Sequence, residues 1–281
     1  MRLLAIDIGN TNITFGLFSA GKLARKFDLP TKSYNLRKLS SVLKEGSLVE
    51  ACLVCSVAPL VTKILARDLR LLTAVKPYII GKDIKVPIKN LYQRPGQVGQ
   101  DRLVNAYAGL AFFQAPLVII DFGTAITFDA VSKKGEYLGG LILPGLEISL
   151  EALSKRAALL PKIKLALPRE LIGRDTAGSM LSGIIYGFAS LSDGLSERIK
   201  QKIGLKAQVI GTGGNIRLMS KYCRAIDKVE QDLTLKGLKL IYDTIVEPHG
   251  QSPWHLSIPP VGRNPEQRPT AGSRGLRRRV K

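Results

Sequence analysis

Histidine is nearly absent from this chain. Of 281 residues only His249 and His255 are histidine, and both lie in the last 33. If that end is a tail, the folded body contains none. His-ligated zinc and Ser-His-Asp hydrolysis then lose their central group, and acid–base work falls to carboxylates. Cysteine is also scarce, at three. Cys52 and Cys55 form a C-x-x-C, but within the strand-like run ACLVCSVA, where an i, i+3 pair points to opposite faces. No second pair follows to complete a metal site. Buried thiols of a reduced, cytoplasmic protein are the expectation, and the isolated Cys223 receives no role. Long apolar runs are missing: none approaches the ~18 residues of a membrane span. The first apolar run is too short for a signal peptide and ends in Asp. Acids are few, with 22 Asp and Glu against 42 Lys and Arg, a formal charge of +20. That balance suits nucleic acid, anionic membranes or anionic substrates without choosing among them.

What the chain does have is one pattern twice. Leu3–Phe18 reads LLAIDIGNTNITFGLF and Leu117–Val131 reads LVIIDFGTAITFDAV, starting 114 residues apart. Each is an apolar run ending in Asp, a Gly-containing turn, and Ile-Thr-Phe in a second strand pattern. Strand, tight polar turn and strand make a β-hairpin signal. A carboxylate at the mouth of such a turn, with backbone N–H groups and hydroxyls beside it, suits a metal-bound polyphosphate. Two such turns face to face would form a nucleotide cleft.

The remaining elements fit an α/β layered fold. Leu23–Leu29, Val49–Val57 and Tyr78–Ile80 read as strands. Tyr34–Lys44, with Leu36, Leu39 and Leu43 on one face, and Leu60–Leu71 read as helices. Asn90–Gly99 is a Pro- and Gly-punctuated loop, after which Asp101 opens a helical pattern, DRLVNAYAGLAFF. Alone, an acid in a first helical turn is most simply a cap or dipole partner. Tyr137–Gly145 is a further strand and Leu146–Ser154 a helix. Residues 161–176 form a loop. Ser179–Ile203 is a long helix in which Gly183 and Gly187 would allow close helix contact. KAQVIGTGGN is a strand entering a Gly-rich turn, and a helix near Leu233–Val246 closes the body. From Glu247 the chain is Pro- and Arg-rich and reads as a disordered basic tail. Residues 248–281 carry seven basic residues and one acid. Such a tail could bind nucleic acid, although a solvated extension is the simpler reading.

Phosphoryl transfer needs a cradle for the polyphosphate, metal to neutralise it, and an acceptor oxygen placed and deprotonated. Asp7, Gly9, Asn10, Thr11 and Asn12 supply one cradle, with Asp7 holding Mg²⁺ directly or through water. Asp121, Gly123 and Thr124 supply another. Gly211, Gly213 and Gly214 would let backbone pass close to a base and ribose. Each motif alone is weak; two D-x-G hairpins followed by G-T-G-G, in this order, are far more specific.

That arrangement resembles the acetate/sugar kinase, Hsp70 and actin superfamily, with its two ribonuclease H-like (actin-like ATPase) domains of mixed β-sheet flanked by helices. DIGNTN, GQDR at Gly99–Arg102, DFGTAITFD, GGLILPG and GTGGN together look like type III pantothenate kinase, over about residues 1–246. The resemblance implies domains at 1–115 and 116–246. It implies ATP-dependent phosphorylation of pantothenate, the first step toward coenzyme A, in a homodimer. By the same likeness ATP binds at Asp7, Ile8, Gly9, Asn10, Thr11, Asn12, Ile13 and Thr14, and at Thr124. Asp121 holds a monovalent cation, K⁺ or NH₄⁺. Asp101 accepts the hydroxyl proton, within a substrate stretch of Gly99, Gln100, Asp101 and Arg102 joined by Tyr92 and Thr176. Gln100 stands where the family often has a smaller residue or Pro, and Ile126 where Thr is frequent. A carboxylate substrate makes Arg102 a sensible anion partner, and a poorly nucleophilic alcohol wants a nearby carboxylate. The alternatives are a non-catalytic relative acting on transcription through nucleic acid, and a sugar or acetate kinase.

Overall fold

The computed structural model describes residues 1–43 and 48–246. The expected tail, 247–281, and the Lys44 end of the first expected helix lie outside them. In chain order the strands are β1 (Arg2–Ile8), β2 (Asn12–Ser19), β3 (Lys22–Pro30), β4 (Ala51–Ser56) and β5 (Tyr78–Ile79), then β6 (Leu117–Phe122), β7 (Ala125–Val131), β8 (Tyr137–Pro144), β9 (Gln208–Thr212) and β10 (Lys228–Val229). The helices are α1 (Leu36–Val42), α2 (Pro59–Thr73), α3 (Gln100–Phe112), α4 (Leu146–Arg156), α5 (Thr176–Ile203), α6 (Ile216–Met219) and α7 (Leu233–Ile241), the last followed by a π-helical turn over Tyr242–Val246. Helix α1 stops at Val42, with Leu43 as its C-cap. Helix α5 begins earlier than the apolar period suggests, because Asp175 caps it by accepting the Gly178 N–H at 2.6 Å.

The strands make two sheets of one design. The first runs β3-β2-β1-β4-β5 and the second β8-β7-β6-β9-β10. In both, the hairpin strands pair antiparallel, while the strand that begins the hairpin pairs parallel with the next one on its other side. Asp7 pairs in register with Thr14, and Asp121 with Thr127. The internal repeat read in the sequence is thus a repeat of topology.

Side-chain alternation sorts the layers. Leu4, Ile6 and Ile8 of β1 and Cys52 and Val54 of β4 pack with Leu39 of α1 and Leu65 and Leu69 of α2 on the outer face of the first sheet. Val118, Ile120 and Phe122 of β6 pack with α4 and α5 on the outer face of the second. The opposite faces, with Leu3, Ala5, Leu53 and Cys55 in one sheet and Leu117, Ile119 and Val131 in the other, share a core with α3 and α7. The order is therefore helix, sheet, helix, sheet, helix. Each buried aliphatic side chain contributes roughly 1.5–3 kcal/mol. Cys52 and Cys55 do fall on opposite faces, and all three cysteines are free and buried.

The middle layer is tight. A Cβ on Gly237 of α7 would lie 2.7 Å from Val104 Cγ1 and 2.9 Å from the Val104 carbonyl oxygen of α3. Gly183 and Gly187 do not serve such a contact among the described residues, none of which comes within 4 Å of a Cβ at either. Among the described residues no helix is long and apolar enough to cross a membrane.

Candidate active site

Alternation along the two leading strands decides where the acids go. Leu3 and Ala5 face the middle layer, so Asp7 does too; Leu117 and Ile119 face it, so Asp121 does as well. Helix α3 lies in that layer and starts with Gly99 as N-cap, which places Asp101 in its first turn. The three carboxylates sense one another. Burial, then the charges of Asp101 and Asp121, push Asp7 up to about 8. Burial, then Asp101 and Asp129, push Asp121 up to about 7, against a hydrogen bond from the Asn105 amide at 3.2 Å. Burial raises Asp101 as well, opposed by the backbone N–H and charge of Arg102. Like charges gathered in a half-buried cleft disfavour ionisation unless a cation joins them.

The two turns meet above this cluster. Thr11 Oγ1 and Thr124 Oγ1, one from each hairpin, are 2.9 Å apart. Each turn is closed by a glycine N–H: Gly9 to the Asn12 carbonyl at 2.9 Å, Gly123 to that of Ala125 at 3.2 Å. The G-T-G-G turn lies against the second of them. Gly213 has φ +93°, and a Cβ there would sit 2.2 Å from Asp121 Oδ1. The Asn215 N–H donates to the Phe122 carbonyl at 3.0 Å. The three glycines divide their work: Gly211 packs against Ile216, Gly213 admits the Asp121 carboxylate, and Gly214 faces open space. Asn10, Thr11, Asn12 and Thr124 are exposed at the turns. Ile8 and Ile13 are wholly buried in the outer core, so that only their backbone is available to a ligand. Thr14 donates across the hairpin to Asp28 at 2.6 Å.

The expected substrate stretch divides in the same way. A Cβ on Gly99 would lie 2.4 Å from Asp101 Oδ1, and the Gln100 side chain packs under Gly81. The Tyr92 ring lies against Gly139. Arg102 is not a free anion ligand. Its side chain is buried, donating from Nε to Asp129 Oδ1 at 2.8 Å and from Nη2 to the Phe128 carbonyl at 3.3 Å. Thr176 is the exposed first residue of α5, and no described hydrogen bond or ion pair joins it to the acids.

Two residues of the cluster escaped the sequence reading. Asp129, fully buried, accepts from Arg102, from the Tyr137 hydroxyl at 2.8 Å and from Thr127 at 3.3 Å. Burial raises it to about 6 while Arg102 pulls the other way. Removing one member of such a pair strands a buried charge, at about 3–5 kcal/mol. Thr127 and Asp129, two apart in ITFD, were the available signal, since that spacing places them on the Asp121 face. Asn105 is buried between Asp121 and the Thr234 hydroxyl, which donates to its Oδ1 at 2.8 Å. Its signal was a spacing of one helical turn from Asp101.

Asp101 Oδ1 is buried with no hydrogen-bond partner among the described residues. A buried carboxylate oxygen in that state needs a proton, a cation or a donor from a ligand. Among the described residues no group of three His, Cys, Asp or Glu side chains is placed to hold a metal ion. The acids are therefore not a protein-only metal cage. They fit Mg²⁺, which keeps waters and is held by one or two carboxylates together with substrate phosphates. Asp7 and Asp121 are the residues that would hold such a cation. The site can gather a polyphosphate between two turns, neutralise it, and present one unsatisfied carboxylate oxygen to an incoming hydroxyl.

The raised acids set a pH dependence. A carboxyl group with a higher pKa folded than unfolded stabilises the fold below its unfolded value and loses that contribution as pH rises through its folded value. For metal-free protein, stability falls between pH 5.5 and 8.5 as Asp129, Asp121 and Asp7 ionise at about 6, 7 and 8. Asp7→Asn flattens that slope and exceeds the parent at pH 8.5 by about 1–3 kcal/mol. Denaturant titration in EDTA at both pH values checks this; a parent more stable at pH 8.5 than at 5.5 contradicts it.

Comparison with known proteins places this geometry. The family model for type III pantothenate kinase matches residues 3–198. A type III pantothenate kinase of Syntrophus aciditrophicus is 39% identical over 251 residues, covering 85% of this chain and 98% of that protein. One from Myxococcus xanthus is 39% identical over 249 residues, covering 85% and 97%. Among solved structures, a Campylobacter jejuni chain described as a Baf family transcriptional activator aligns with TM-score 0.55 and 20% identity, covering 87% of this chain and 99% of its own, a likeness of fold alone. The two sheets share one strand order, and the chain belongs to the type III pantothenate kinase family.

Proposed function

We propose that this chain transfers the γ-phosphoryl group of ATP to the terminal hydroxyl of pantothenate, forming 4′-phosphopantothenate, with Asp101 as proton acceptor. The observation that carries the assignment is the buried, unpartnered Asp101 Oδ1 beside the two phosphate turns. The hydroxyl proton passes to Asp101, the oxygen bonds to the γ-phosphorus, and the bond to the β,γ-bridging oxygen breaks to release ADP. Burial strengthens Asp101 as a base. Backbone and hydroxyls of residues 7–14 and Thr124 cradle the phosphates. Asp7 would hold Mg²⁺ and Asp121 K⁺ or NH₄⁺, and the chemistry such cations would supply there is counter-charge for the phosphoryl group. Gly99, Gln100 and Tyr92 line the alcohol side, with Arg102 acting by its charge while Asp129 holds its guanidinium. The division into 1–115 and 116–246 belongs to the same reading, each part carrying one sheet and one turn, with α7 reaching back onto β1. Three buried free thiols favour a cytoplasmic setting.

A homodimer completes the proposal. Ile142, Leu159, Leu171 and Ile172 are 66%, 95%, 61% and 79% exposed. The coil at 171–173 is fastened to α5 by Ser182 and Ser179 hydroxyls on the Leu171 and Gly173 carbonyls, near the open faces of Gly183 and Gly187. Apolar area of this kind marks a protein interface. Sedimentation equilibrium should return twice the chain mass; a lone-chain mass at micromolar concentration refutes the dimer. The nucleic-acid alternative rests on charge alone.

The catalytic assignment is tested by turnover. With ATP, Mg²⁺, K⁺ and pantothenate, Asp101→Asn should lower kcat about 10²–10⁴-fold with the KM for ATP little changed. Full turnover in that variant removes Asp101 from the chemistry.

A further inference from the structure

An open surface pocket of about 790 Å³ lies between α2 and the turn that follows β5, and five of its thirteen lining residues are basic. Lys63, Arg67 and Arg70 come from α2 at spacings of four and three, hence from one helix face. Lys76 and Lys82 come from either side of β5. Arg67 is partly committed, bonding Asp68 through Nε and Nη2 at 3.0 and 2.8 Å. Lys63, Arg70, Lys76 and Lys82 have no carboxylate within ion-pair distance among the described residues. The one acid in the lining, Asp83, already accepts the Ile79 N–H at 2.8 Å. Like charges converging on a concave surface repel one another until an anion joins them.

The remaining wall sets the kind of anion. Pro59, Leu71 and Ile79 give an apolar side, suited to the body of an organic molecule rather than to a bare inorganic ion. The volume lies within the roughly 300–1,000 Å³ of small-molecule sites. Several separated cations match several phosphate charges better than one carboxylate. The cavity is also separate from the acids. Ser56, at its edge, pairs in register with Ile8, but α2 covers the outer face of that sheet while Asp7 faces the inner layer. We propose that this cavity is a second anion site, binding an organic polyphosphate of nucleotide size.

The test uses the full chain and inorganic tripolyphosphate, titrated calorimetrically in EDTA at 150 mM salt, about one Debye length of 8 Å. Arg70→Glu/Lys76→Glu should weaken binding at least about tenfold. Lys133→Glu/Lys134→Glu makes the same change in charge at the exposed β7–β8 turn and should weaken it less than about threefold. Unchanged pantothenate kinase turnover by Arg70→Glu/Lys76→Glu verifies that this variant is folded. Equal loss in the two variants would mean a diffuse basic surface and an adventitious ion only, overturning the proposal. So would the absence of tripolyphosphate binding at millimolar concentration. A short DNA duplex that binds more tightly than tripolyphosphate, and loses that binding in Arg70→Glu/Lys76→Glu alone, would replace the small ligand with nucleic acid.

Discussion

Three carboxylates brought together without enough counter-charge are the constraint on which this structure turns. Asp7 and Asp121 end the inner faces of two equivalent strands, and Asp101 meets them from the first turn of the helix between. Burial raises all three, and the charges of neighbouring acids help carry Asp7 to about 8 and Asp121 to about 7. A cluster of this kind costs folding energy in the empty protein. It becomes favourable when a cation and a polyphosphate enter, so the strain is an affinity held in reserve.

The duplication explains how one short motif can build such a site. The same strand order in both sheets puts each Asp at the same place beside the same kind of turn. The hydroxyl contact between Thr11 and Thr124 closes the two turns over one space. Helix α3 supplies what the repeat lacks, an acid set apart from both turns. Asn105 and Thr234 tie that helix to α7 and to Asp121, so the acid positions are fixed relative to one another. Asp129 does the corresponding work for Arg102, holding its charge next to Asp101.

Much of this was legible in the chain. Period-two alternation to Leu3, Ala5 and Asp7, and to Leu117, Ile119 and Asp121, fixes which way both acids point, and two D-x-G turns announce the repeat. The C-x-x-C gave its own answer, because an odd spacing in a strand separates the thiols. Other features depend on contacts that no local pattern encodes. Arg102 and Asp129 are 27 residues apart and meet only through the packing of α3 on β7. The roles of Gly211, Gly213 and Gly214 differ because Ile216 presses on the first, the Asp121 carboxylate on the second, and none of the described residues on the third. Gly183 and Gly187 read as a helix contact and have none among the described residues. The early start of α5 was hidden by the polar IGRDT, whose Asp175 is a cap that apolar periodicity cannot detect.

The most direct measurement is a crystal structure with Mg²⁺, a non-hydrolysable ATP analogue and pantothenate bound together. The account predicts phosphates held between residues 9–12 and Gly123–Thr124, with the pantothenate hydroxyl donating to Asp101 Oδ1. A nucleotide bound away from both turns, or a pantothenate hydroxyl out of hydrogen-bond reach of Asp101, would contradict it.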